Sequence, residues 1–218
     1  MKITTAYDNN IHVKGLKSAW GFSCAIDVSG EDILFDTGGN GSVLLYNMER
    51  LDIDPEDIGK IVLSHEHWDH AGGLIDLLET NNHAEIYLLA SFSESFKRRI
   101  KNPVIEIYGP SKICDQVYTT GELGTSIKEQ SLITETEKGL IVATGCAHPG
   151  LRAIMDCASG FGEIYGIIGG FHGFDEYPLL EGLKLLSPCH CTQHLREIAS
   201  RFPNAYQKNG VGRVFTFE

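Results

Sequence analysis

No stretch of this 218-residue chain approaches 18 consecutive apolar residues, so no membrane-spanning helix is expected. Its first residues, MKITTAYDNNIHVKG, lack the apolar segment and small-residue cleavage site of a secretory signal, which makes a cytoplasmic address the expectation. Positive charge is scarce: 18 Lys and Arg stand against 29 Asp and Glu, a formal net charge of −11. That deficit argues against nucleic acid held by the overall field. The expected partner is a small molecule, and the oligomeric state stays open. The six cysteines form no C-x-x-C pair, and without a secretory signal they read as reduced thiols. With no linker, low-complexity tract or repeat of 20–50 residues, a single domain over 1–218 is expected. The zinc-protease pattern H-E-x-x-H is absent as well.

What remains is an ordinary core-forming composition, 42% hydrophobic and 22% charged. Residues 1–7 alternate weakly, as an edge strand would. Strands are expected at Phe22–Val28, Ile33–Phe35, Lys60–Leu63 and 85–90, and SLITETEKGLIVATG reads as a hairpin turning at 137–139. SVLLYNMERL, LRAIMDCA, PLLEGLKLL and HLREIASRF read as helices, SPCHCTQ as a loop, and GRVFTFE as a closing strand. The span 101–128 shows no clear period. One unit recurs: a strand, a small-residue loop carrying Asp or His, then usually a helix. It appears at Asp36, at His65–His70, at His148 and at His172, and His190 also precedes a helix. Polar residues at strand ends are where α/β architectures assemble sites.

The densest of these loops is SHEHWDHAGG. His65 and His67 lie two apart and can face one point, while Asp69 and His70 can face a second. Neutral imidazole and carboxylate are good ligands for zinc-type cations, which take about four near neighbours. Four donors in one loop can serve one ion or share two, and either arrangement needs donors from elsewhere. His148 and His190 are the natural candidates. His12, His83 and His194 read as ordinary hydrogen-bonded or exposed histidines, and Glu66 as a loop-bracing carboxylate that points away.

This pattern resembles the metallo-β-lactamase superfamily. HEHWDH matches its H-x-H-x-D-H motif, and ILFDTGG looks like its first motif, with Asp36 supporting the metal loop. TGCAHPG and PCHCTQ resemble its later blocks. GCAHPG, GGFH and PCHCTQ are most similar to a subgroup of pterin ribofuranosylaminobenzene phosphate synthase-like proteins, with Gln193 where that subgroup usually has Gly. The resemblance implies an αβ/βα four-layer sandwich, two mixed sheets with helices on the outer faces. It implies one ion on His65, His67 and His148, and another on Asp69, His70 and His190. Zn²⁺ is the expected ion, one or two per chain, with Mn²⁺ and Fe²⁺ open. Asp69 would also orient water or move its proton. Many members carry a bridging carboxylate at the end of the strand before the last block; here Gly169-Gly170-Phe171-His172 stands there without one. His172, Phe171 and Thr192 are the expected substrate contacts, and Trp68 and Phe174 could stack on a planar ring. The implied activity is metal-dependent hydrolysis of a small ester, amide or phosphoester. A synthase-like reaction is the alternative. A non-catalytic binding module is a third reading, for which Cys189 or Cys191 would close the coordination sphere.

Overall fold

The structure, a computed structural model, describes residues 1–217. Among the described residues thirteen strands form two sheets. The first contains β1 (Lys2–Tyr7), β2 (Ser23–Val28), β3 (Glu31–Phe35), β4 (Lys60–Val62), β5 (Glu85–Leu89), β6 (Val104–Ile107) and β13 (Val214–Thr216), in the order β13-β1-β2-β3-β4-β5-β6. The second runs β12-β11-β10-β9-β8-β7, from β12 (Leu185–Cys189), β11 (Ile164–Gly170), β10 (Gly139–Thr144), β9 (Leu132–Thr136), β8 (Val117–Thr119) and β7 (Ser111–Cys114). Both are mixed. β3 to β6 run parallel, as do β10 to β12, and the remaining pairs are antiparallel.

The apolar runs of the second sheet explain its layers. Successive side chains of a strand point to opposite faces. Ile141 and Ala143 of β10 join a cluster shared with Ile3, Ile26 and Ile61 of the first sheet, so the sheets pack face to face. Leu140 and Val142 instead join Leu151, Ile154 and Ala158 of helix α5 (Leu151–Ser159) and Ile198 of α6 (Leu195–Arg201). Ile167 and Ile168 of β11 divide the same way. Covered on both faces, these strands carry continuous apolar sequence rather than alternation. On the first sheet the outer cover includes α1 (Gly41–Arg50), whose Leu44 and Met48 are fully buried, and α3 (Leu74–Leu78). Two short helices complete the set: α2 (Trp68–Ala71) and α4 (Glu94–Lys97).

Two local expectations are corrected. β1 is flanked by β13 and β2 and is not an edge strand. PLLEGLKLL is not a helix. It holds a 3₁₀ turn at Tyr177–Leu180, ends it at Gly182 (φ +87°), and begins β12 at Leu185. A short apolar run cannot tell a buried strand from a helix. Pro188 lies within β12 because that strand is the sheet's edge, where a missing N–H is tolerated.

Candidate metal centre

Every loop singled out by sequence leaves the carboxyl end of a parallel strand. Asp36 follows β3, His65–His70 follows β4, Cys146–His148 follows β10, His172 follows β11 and His190 follows β12. The two sheets present these ends to one place. Four residues in these loops hold left-handed backbone without being glycine: Asp36 (φ +58°), Ala147 (+56°), His172 (+48°) and His190 (+51°). Such conformations cost free energy and persist where surrounding contacts enforce them.

Donor atoms gather as two trios, His65/His67/His148 and Asp69/His70/His190, each with its atoms within 4.8 Å of one another. Ring centroids of His65 and His70, one from each trio, are 4.3 Å apart. His65 Nε2 and His148 Nε2 are buried with no hydrogen-bond partner. Leaving such groups unsatisfied is costly. His70 Nε2 lies 3.2 Å from His190 Nε2, and Asp69 Oδ2 lies 3.3 Å from the latter. Nitrogens and a carboxylate converging without N–H donors enough to pair them form a set suited to cations.

The surrounding groups fix these rings. Asp36 is fully buried. It accepts from the Ser64 N–H and hydroxyl, both at 2.7 Å, and from His70 Nδ1 at 2.7 Å. That leaves His70 Nε2 as the free lone pair, the arrangement that orients metal-binding imidazoles. Burial favours the neutral His70 ring, and the Asp36 carboxylate overrides it and raises the pKa. For His65, burial and then the neighbouring His70 and His67 rings hold it far below the usual range. Asp69 would be raised by burial alone, but the His190 hydrogen bond and the His70 charge outweigh that and keep it ionised.

Four supporting residues escape any sequence signal. Glu129, fully buried, accepts from the N–H groups of Cys146, Ala147 and His148, each at 2.9 Å, and so ties down the whole loop. Burial pushes its carboxyl pKa up against the pull of those three donors. Asp8 accepts from the His190 N–H at 3.0 Å, while Asn9 faces His190 Nδ1 at 3.1 Å. Trp20 donates its indole N–H to Asp69 Oδ2 at 2.9 Å and sets its ring edge-on to His190.

The expected substrate contacts fare differently. His172 is exposed, with its ring 5.0 Å from that of His148, and joins neither trio. Phe171 is corrected: at 1% exposure it belongs to the cluster beneath α5 and α6, which leaves it no surface for a ligand. Thr192 uses its hydroxyl internally, accepting from the Phe171 N–H and donating to the Cys189 carbonyl. Phe174 packs against the same outer cluster, whereas Trp68 is 63% exposed beside the loop. Glu66 turns away, accepting from Ser93 at the start of α4. A cavity of about 220 Å³ opens against His65 and His67, lined also by Glu66, Ser91, Phe92 and Lys128.

Residues 22–152 match the sequence profile of the metallo-beta-lactamase superfamily. The chain belongs to this superfamily. A 7,8-dihydropterin-6-methyl-4-(beta-D-ribofuranosyl)-aminobenzene-5'-phosphate synthase of Methanocaldococcus jannaschii is 26% identical, over 92% of this chain and 90% of the relative. A second, uncharacterised protein of that organism is 28% identical over 75% of this chain and 77% of its own. The fold superposes on a crystal structure described as a metal-dependent hydrolase of the beta-lactamase superfamily, with TM-score 0.82 and 25% identity, covering 100% of this chain and 99% of the other. It also superposes on human tRNase Z, short form, at TM-score 0.68 and 15% identity, covering 100% of both chains, a likeness of fold alone. Within the metallo-beta-lactamase frame, no helix of the described residues is long and apolar enough to cross a membrane.

Proposed function

We propose that this metallo-beta-lactamase fold protein is a metal-dependent hydrolase acting on a small anionic ester or phosphoester. The observation that carries the reading is the pair of adjacent donor trios, with two buried imidazole nitrogens lacking any partner. His65, His67 and His148 would hold one cation of zinc type, and Asp69, His70 and His190 a second. When bound, such a cation lowers the pKa of a water molecule to about 7 and polarises a substrate oxygen. The protein's own groups do the rest. Asp69 accepts the indole N–H of Trp20 on Oδ2, the oxygen that lies 3.3 Å from His190 Nε2, so this bond holds the carboxylate against the trio, where it would orient a water. Asp36 and Glu129 keep donors from both sheets in place. Lys128, in the cavity beside His65 and His67, supplies a positive charge for an anionic group of the substrate.

The test combines metal analysis with turnover on a panel of small esters and phosphoesters. Protein purified without chelator is expected to carry transition metal, and His67→Ala to lose both metal and at least a hundredfold in turnover. Retention of both by His67→Ala would sink the reading.

The 26% identical relative named as a synthase supports a second reading, bond formation between a pterin and a phosphoribosyl aminobenzene. Incubation with those two reactants separates the readings: a coupled product supports the synthase, its absence alongside ester turnover the hydrolase.

A further inference from the structure

We propose that Cys146 supplies the ligand shared between the two metal centres, a thiolate in the place of the carboxylate the sequence lacks. This rests on the metal reading above and adds a donor to it.

The sulfur lies between the trios. Cys146 Sγ groups with His65 and His70 within 4.8 Å, and these two rings belong to different trios. It is 3.2 Å from His70 Nε2 and also groups with His190 and Cys191. Among the described residues no other side chain joins donor atoms of both trios in this way. Cys146 is buried, at 3% exposure, with a ring nitrogen of His65 within 4.8 Å of its sulfur, and His65 Nε2 is itself buried and unpartnered.

The competing bridges are spoken for. Asp36 is saturated by Ser64 and His70, Glu129 by three backbone N–H groups, and Asp8 by the N–H groups of His190 and Asn10. His172 joins no donor group. The strand end where a carboxylate would stand is filled by the cysteine loop itself. A Cβ on Gly170 would lie 2.3 Å from the Gly145 carbonyl, 2.7 Å from Cys191 Sγ and 3.1 Å from Cys146 Cα. Gly170 therefore has no room for a bridging side chain, and the loop that excludes one delivers a sulfur instead.

A ligating thiol gives up its proton outright in the field of the cation. Loading releases one proton from sulfur and consumes no oxidant.

Cobalt(II) loading tests this without reference to turnover. The wild-type chain is expected to take up two Co²⁺ and to show a sulfur-to-cobalt charge-transfer band in the near ultraviolet. Cys146→Ser should lose that band and bind the second ion at least tenfold more weakly, while Cys191→Ser keeps the band. Should Cys146→Ser fail to fold, wild type and Cys191→Ser decide: a band lost in Cys191→Ser overturns the assignment. So does a band retained in Cys146→Ser. Two Co²⁺ bound by wild type with no band overturns the bridge and leaves the metal reading standing; no Co²⁺ bound overturns both.

Discussion

Burial, with the rings of His172, His67 and His70 beside it, pushes the His148 pKa down to about 4. An unfolded chain would titrate this ring near 6.5. Between those values the unfolded state holds a proton that the folded state refuses, so folding weakens as pH falls through that window. The charge on His70, whose pKa is raised, runs the opposite way. The comparison that isolates His148 is therefore wild type against His148→Gln, both chelated. The wild-type Tm should drop faster than the variant's between pH 6.5 and 4. Equal slopes would mean that the ring is not held neutral by its surroundings. At this scale much was legible in the sequence. The six residues from His65 to His190 that the structure brings together could be named because histidine and aspartate in strand-end loops are costly unless something holds them. Phe171 was misread because it stands in sequence beside His172, whose ring nears that of His148, while its own ring joins the cluster beneath α5 and α6. Glu129 and Trp20 gave no signal, since an isolated carboxylate or indole looks like any surface residue until the fold closes around it.

Among the elements, the junction of β10 and β11 with their following loops is the most constrained. Gly169 holds φ +119° and has a Thr144 carbonyl 2.0 Å from where its Cβ would be. Gly170 is equally closed, against the Gly145 carbonyl. Gly170→Ala must push the cysteine loop off its strand, and overpacking of this kind costs about 1–3 kcal/mol. Denaturant titration should show a lower midpoint at unchanged slope, with weaker metal retention as the loop shifts. An unchanged midpoint would mean that the loop moves freely. The strands at 22–28, 33–35, 60–63 and 85–90 were readable because each is a short apolar run closed by turn residues. The segment 101–128 was not, for β6, β7 and β8 are three or four residues each and their pairing is set by partners distant in sequence. β12 was hidden because its five residues are all buried and therefore carry no alternation.

For the molecule as a whole, the donor cluster sits where two sheets meet, and each sheet owns part of it. A bound cation should therefore raise the stability of the entire fold rather than of one loop. Chelation is expected to lower Tm, and restoring free Zn²⁺ at 100-fold over its Kd should return about 2.7 kcal/mol per site. A Tm indifferent to chelator in protein that had carried metal would contradict this. The two-sheet sandwich itself came from the match of motifs to a known superfamily. Periodicity gave strands and helices, but which strands share a sheet depends on contacts far apart in the chain.

The sharing of donors between sheets has a kinetic corollary. A nascent chain that has ordered only β1 to β6 already carries His65, His67, Asp69 and His70, yet lacks the histidine that completes either trio. On the proposed metal reading, such a chain would hold an ion more weakly than the finished fold. Only docking of β10 and β12 brings His148 and His190 into reach, so tight capture would mark the moment the two halves lock. The centre would thus act as a latch on its own scaffold, closing last and holding what has already been built.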